Sequence, residues 1–163
     1  QLLHVEDTSA IHVPEGIGGA PQLDKCLQRG LAAVQRRLGQ RTAIAVTCKC
    51  RGQDDVQLRW SMVCLKSGEV LSTLSSAVRQ RPREEIGGGD SWLSGVIDGL
   101  VGLPKPAAAA PEWPAEMWLA ALQRGDMLAA LKQQVVGDFS NVERPQLDAA
   151  LAEHKASGGK RTL

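Results

Sequence analysis

A mixed α/β fold, with helices packed against a sheet, is predicted by three features of this 163-residue chain. Residues 42–47, Thr-Ala-Ile-Ala-Val-Thr, form a short apolar run of the kind a buried strand shows. The runs at 56–65 and 69–75 flank Lys66-Ser67-Gly68, whose glycine suits a tight turn, so they read as two strands of a hairpin. Helical periodicity then takes over, first behind Gly87-Gly88-Gly89-Asp90 and again behind Pro114.

The elements follow in order. Residues 2–5 read as the end of a strand, and a loop runs from there to about Pro21. A helix is expected over 22–38, before the buried strand and the hairpin. The glycine loop opens the next helix, and the proline-rich residues 104–114, with Ala107 to Ala110 among them, form a loop. Pro114 suits the first turn of a helix running to about 133, because its missing N–H is not needed there. Residues 145–154 close the fold as a last helix. The segment Ser157-Gly158-Gly159-Lys160-Arg161-Thr162 resembles part of a phosphate loop, but with no helix behind it the residues from 156 to 163 read as a flexible tail.

The glycine loop carries the chemistry. Consecutive glycines let the backbone turn tightly and aim N–H groups at an oxyanion, with the positive end of the following helix behind them. Gly87, Gly88 and Gly89 are therefore read either as an anion-binding loop with Asp90 beside the bound anion or as a plain turn before a helix. In the helix, Leu93, Val96, Ile97, Leu100 and Val101 are spaced as one apolar stripe, with Asp90, Ser94 and Asp98 on another face. Gly95 and Gly99 would each weaken an isolated helix by about 1 kcal/mol, so they imply close packing against another element.

Composition excludes several classes. With 43% hydrophobic residues and a net charge of +1, the chain has material for a core and no strong field. Aromatic residues make up only 3%, with no tyrosine and no basic stripe, which argues against stacking on nucleic acid. Apolar stretches fall well short of the ~20 residues that span a bilayer, so no membrane partner is expected. No targeting segment is visible, and a cytoplasmic location is expected.

Cys26, Cys48, Cys50 and Cys64 lack the paired spacing of a zinc site, and reduced thiols are expected. Gly16-Ile17-Gly18-Gly19 lies between Pro14 and Pro21 without a leading strand, so it reads as a surface loop. His12 and His154 have no acid or nucleophile beside them in sequence and read as surface residues.

A set of short segments, taken together and in order, resembles the pfkB (ribokinase-like) carbohydrate kinases. Ile86-Gly87-Gly88-Gly89-Asp90-Ser91, followed by Ser94-Gly95 and Gly99-Leu100, is similar to that family's glycine-rich signature and its helix. Ala130-Leu131-Lys132 and Gly137-Asp138-Phe139-Ser140 resemble two elements of the branch that phosphorylates 2-keto-3-deoxygluconate. Upstream, Ala43-Ile44-Ala45-Val46-Thr47, the Trp60-Ser61 pair and His4-Val5-Glu6-Asp7 resemble further family elements in the same order.

The resemblance implies a ribokinase-like three-layer α/β sandwich, of which residues 1–155 would be the C-terminal, nucleotide-binding part. It implies ATP and Mg2+ as cofactors, a nucleotide and a small-molecule sugar or sugar acid as partners, and leaves a homo-oligomer open. Asp90 becomes the general base, and Gly87, Gly88 and Gly89 the anion hole. Nucleotide contacts fall on Thr47, Gly52, Gly125, Ala129 and Gly137, with the base between the 114–133 helix and residues 135–139. Asp7 would help to organise magnesium. Lys132 could approach a phosphate, but a lysine near a helix C-terminus usually serves the dipole and solvent, and it stays outside the catalytic set.

Three departures accompany the resemblance. His4 stands where the family has asparagine, Glu84-Glu85 puts two carboxylates beside the loop, and the N-terminal half with the sugar lid has no counterpart in these residues. The two carboxylates would repel an anion or turn to solvent. The alternative to a sugar kinase is a noncatalytic remnant that binds nucleotide, or a protein partner along an open sheet edge.

Overall fold

A computed structural model of the chain describes residues 19–39, 42–101 and 113–163. Four helices and four strands follow in the order α1 (Ala20–Arg37), β1 (Ile44–Arg51), β2 (Gln57–Cys64), β3 (Val70–Ser72), β4 (Val78–Gln80), α2 (Gly88–Val101), α3 (Ala115–Lys132) and α4 (Arg144–Ala156). The α/β reading is met. The expected strand over residues 2–5 and the loop at 104–112 lie outside the described residues.

The sheet is antiparallel throughout its named strands. β1 pairs with β2 along its full length, from Ile44 opposite Cys64 to Arg51 opposite Gln57. Both short strands then share the other edge of β2: β3 covers Met62 to Cys64 and β4 covers Gln57 to Arg59. At the break between them, Ser61 N–H donates to Thr73 Oγ1 at 2.8 Å and Thr73 N–H donates to Ser61 O at 2.8 Å. A hydroxyl thus stands in for a ladder position, which lets the chain leave β2 and return to it. The hairpin turn between β2 and β3 places Gly68 at φ +89°, a conformation that suits glycine.

Alternation along the strands feeds two cores. Ile44, Cys48, Cys50, Leu58, Trp60, Met62 and Cys64 face α1 and meet Leu23 and Leu31. Val63 and Leu65 face the opposite side, where Trp92, Val96, Trp118, Ala121 and Leu122 of α2 and α3 complete a second core. The result is helix, sheet, helix, in three layers. The buried Asp24 of α1 accepts from Trp60 Nε1 at 2.9 Å and Ser72 Oγ at 2.6 Å, whereas Trp118 Nε1 in the second core finds no partner among the described residues.

α2 and α3 pack unusually close. A Cβ on Gly95 would lie 2.8 Å from Gly125 Cα, one on Gly99 2.7 Å from Ala121 Cα, and one on Gly125 2.6 Å from Val96 Cγ2. The glycines therefore form the contact that their position in a helix implied. Of the apolar stripe expected over Leu93, Val96, Ile97, Leu100 and Val101, Leu93, Val96 and Leu100 pack into the second core, but the face is rotated: Trp92 and Gly95 are buried, whereas Ile97 is 48% and Val101 77% exposed. Side-chain size sets the rotation, because only the glycine groove lets α3 approach this far.

α4 rests on α3 through Leu147, which packs with Val78, Met127 and Ala130. Its start is set by a capping box in which Glu143 N–H donates to Gln146 Oε1 at 2.8 Å. Arg124 of α3 donates to Asp98 of α2 at 2.6 Å and to Asp148 of α4 at 2.6 Å, tying three helices together. The last residues, expected to be a flexible tail, return to the sheet. Leu163 N–H donates to Arg79 O at 2.8 Å and Arg81 N–H donates to Leu163 O at 3.0 Å, so backbone pairing that no side-chain pattern announces holds this end to β4.

Candidate functional site

A tight turn lies between β4 and α2. Gly87 sits at φ +73°, and a Cβ there would come within 2.5 Å of Asp138 O, so only glycine fits. Gly88 and Gly89 are already the first two residues of α2 rather than a free loop. Gly88 N–H reaches back to Glu85 O at 3.4 Å, and Ser91 N–H donates to Gly87 O at 3.0 Å. The amides of Gly89 and Asp90 find no acceptor among the described residues, as the first turn of a helix leaves them. Nothing stands within 4 Å of a Cβ built on Gly89, so a side chain there would meet no neighbour among the described residues. Asp90 is exposed in the same turn.

Buried polar side chains back this turn. Arg59 of β2 donates from Nη2 to Gln133 Oε1 at 2.9 Å and from Nη1 to Thr47 Oγ1 at 3.2 Å. Gln133 also accepts from Gln80 Nε2 at 2.8 Å and donates to Glu85 O at 3.1 Å. A Cβ on Gly88 would lie 2.8 Å from Gln133 Nε2 and 3.4 Å from Arg59 Nη2. Burial pulls the Arg59 guanidinium below its usual range, and Asp126 and Glu85 oppose that pull. Lys132, expected at the surface, is 0% exposed, and its Nζ has no hydrogen-bond partner. Its Cε lies 3.1 Å from the Cβ position of Gly87. The helix ends against the glycine turn, which carries the lysine inward with it.

The two glutamates before the turn neither face the open donors nor point to solvent alone. Glu85 accepts from Lys49 Nζ at 2.9 Å, Arg51 Nη2 at 2.9 Å and Gln57 Nε2 at 2.5 Å. The Lys49 hydrogen bond is the main reason that its carboxyl is held below the usual range. Glu84 Oε2 accepts from Gly137 N–H at 2.7 Å, so that amide is in use.

A second buried acid lies deeper, between α3 and the break in the sheet. Asp126 accepts from Thr73 Oγ1 at 2.8 Å and from Ser61 Oγ, which in turn accepts from Trp92 Nε1 at 2.7 Å. Burial pushes the Asp126 carboxyl up to about 6. It braces the fold beneath the site.

The structure brings most of the nominated residues to one end of the sheet. Thr47 reaches Gly88 through Arg59, Gly52 ends β1 beyond Arg51, and Gly137 meets Glu84. Gly125 and Ala129 are placed elsewhere, buried in the packing of α3 against α2 and the sheet. Asp7 lies outside the described residues. Among the described residues no group of three or more His, Cys, Asp and Glu is placed to hold a metal ion, and no helix is long and apolar enough to cross a membrane. Lys132 and Arg59 are the members that sequence reasoning left out. Arg59 carried no signal, while Lys132 was visible only as the end of a helix pointing back toward the glycines.

No protein-family model matches the sequence, and no curated protein matches it. A solved structure shares the fold. The chain superposes on a 2-dehydro-3-deoxygluconokinase from Thermotoga maritima with a TM-score of 0.59 and 16% identity, covering 78% of this chain and 34% of that one. A PfkB family carbohydrate kinase from Listeria grayi aligns with a TM-score of 0.45 and 14% identity over 69% of this chain and 30% of that one. The chain thus spans about a third of the solved kinases that it matches.

Proposed function

We propose that this chain is the nucleotide-binding part of an ATP-dependent carbohydrate kinase, acting on a hydroxyl of a sugar or sugar acid of the 2-keto-3-deoxygluconate kind. The ribokinase-like fold supports the class, since the superposed Thermotoga protein bears the name of such a kinase. The observation that carries the reading is the first turn of α2, where the Gly89 and Asp90 amides find no acceptor among the described residues and both residues are exposed.

Fixed amides at the positive end of a helix suit the spread negative charge of a transferring phosphoryl group, because they need no reorganisation as charge moves. ATP would supply that group. Gly87, Gly88 and Gly89 shape the turn that receives it, and Asp90 takes the proton of the acceptor hydroxyl as general base, worth typically about 10² to 10⁴-fold. On the β1 side, Thr47 and Gly52 border the nucleotide, and Gly137 does so between the exposed Val136 and Phe139, 82% and 83% accessible, whose apolar surface suits a base. Gly125 and Ala129 act behind them by setting how closely α3 approaches α2. Magnesium would be held chiefly by phosphate oxygens and water, with Asp7 nominated as the protein's contribution.

A second reading, nucleotide binding without transfer, is favoured by Glu85, which neutralises Lys49 and Arg51 beside the turn. Calorimetric titration with ATP, with and without magnesium, separates the two. The kinase reading expects binding in the unmutated chain, retained binding in Asp90→Asn, and loss of binding in Gly89→Asp, which places a carboxylate on the turn. Loss of sugar phosphorylation in Asp90→Asn, in a preparation that phosphorylates sugar, completes the case. No nucleotide binding up to millimolar concentration defeats both readings.

A further inference from the structure

Lys132 poses a physical problem that the fold alone does not answer. An ammonium removed from water is strongly unfavourable unless a counter-charge and hydrogen bonds replace its hydration. Arg59, equally buried, has Asp126 and Glu85 near it and two side-chain acceptors. Lys132 has neither: it is fully buried, its Nζ has no acceptor, and no carboxylate among the described residues pairs with it. Helix packing would be served as well by a methionine or leucine of similar length. The side chain nevertheless ends beside Gly87, on the inner side of the turn whose outer amides are unpaired.

We propose that Lys132 is an anion-positioning residue whose missing counter-charge is the phosphoryl group of a bound nucleotide, seated on the first turn of α2. The proposal rests on the phosphate reading of that turn and adds a positive charge that comes from the far end of α3. Two surfaces then act on one anion: unpaired amides from the start of α2, and an ammonium held behind them at low dielectric, where its attraction is weakly screened. Without ligand the ammonium destabilises the chain; with ligand it is paired.

The test uses Lys132→Met, which keeps length and apolar packing and removes the charge. Thermal unfolding and calorimetry are measured on both chains with ATP, pyrophosphate and inorganic phosphate. The expected result is a split: the empty variant melts at the same or a higher temperature, while its affinity for ATP and pyrophosphate falls by about tenfold to a hundredfold. A purely structural lysine would give the reverse, a lower melting temperature with unchanged affinity, and that result overturns the proposal. If inorganic phosphate alone reproduces the effect, the positioned group is a terminal phosphate; if only ATP and pyrophosphate do, the ammonium reaches a bridging or inner phosphate. Should the variant fail to fold, the Lys132 ammonium 15N resonance of the unmutated chain decides, since a shift on adding pyrophosphate is expected and its absence overturns the assignment. Binding lost in Gly89→Asp but unchanged in Lys132→Met removes Lys132 alone. No anion binding by the unmutated chain removes the phosphate reading as well.

Discussion

Arg59 Nη2 donates to Gln133 Oε1 at 2.9 Å, which bonds the middle of β2 to the residue just past α3, directly beneath Gly88. Gln133 Oε1 is shared with Gln80 of β4, so one amide oxygen gathers two strands and a helix end. Removing it strands a buried guanidinium. Gln133→Leu is expected to lower stability by about 3 kcal/mol, because a buried charge loses an acceptor, and the urea midpoint of the variant checks it.

Gly125 of α3 and Gly89 of α2 serve different ends, and alanine separates them. At Gly125 a Cβ would meet Val96 Cγ2 at 2.6 Å and Trp92 O at 2.8 Å, so Gly125→Ala should cost about 1–3 kcal/mol by overpacking. At Gly89 nothing lies within 4 Å, and Gly89→Ala should be neutral or stabilising by up to about 1 kcal/mol. Chemical denaturation of the pair tests whether Gly89 is free of packing duty.

Asp126 gives the fold a pH signature. Its carboxyl is raised by burial to about 6 in the folded chain, above the ordinary aspartate range, so the folded state holds the proton more tightly than the unfolded state does. Stability from this group is therefore greatest at low pH and falls as pH rises from about 4 through about 6, by on the order of 3 kcal/mol. Asp126→Asn should remove that slope. The difference in unfolding free energy between the two chains, measured from pH 4 to 7, should change across this window and be flat above it.

Glu85 acts in the opposite sense. Its depressed carboxyl contributes stability above about pH 4.5 that is lost as pH falls through the folded value. Its partners are solvated, so Glu85→Gln should change stability at neutral pH by less than about 1 kcal/mol. The same change frees Lys49 and Arg51 beside the turn. Affinity for ATP should rise by about twofold to tenfold at low salt and lose that gain at high salt, as screening requires.

How far the sequence could be read depended on whether a residue's fate was set locally. The strand at 44–47, only Ile44 of which is fully buried, the Gly68 turn and the Pro114 helix start were legible because each depends on near neighbours. Gly95, Gly99 and Gly125 also announced a close helix contact, and that contact exists. The face of α2 was misread because Ile97 and Val101 fit an apolar stripe by spacing, while Trp92 and the glycine groove decide the rotation in three dimensions. Nothing in sequence shows that Glu85 meets cations on β1, more than thirty positions away. β4 is three residues long, too short for any period to appear. Lys132 was hidden for a different reason: a lysine ending a helix is normally solvated, and only the inward path of α3 against Gly87 buries it.

The most direct test of the central claim follows backbone amides during a titration of the 15N-labelled chain with ADP and with pyrophosphate. The phosphate reading expects the Gly89 and Asp90 resonances to move first and furthest, with Gly87 and Gly88 following and Gly125 nearly still. Saturating ligand that shifts other amides while those of Gly89 and Asp90 remain in place would contradict it.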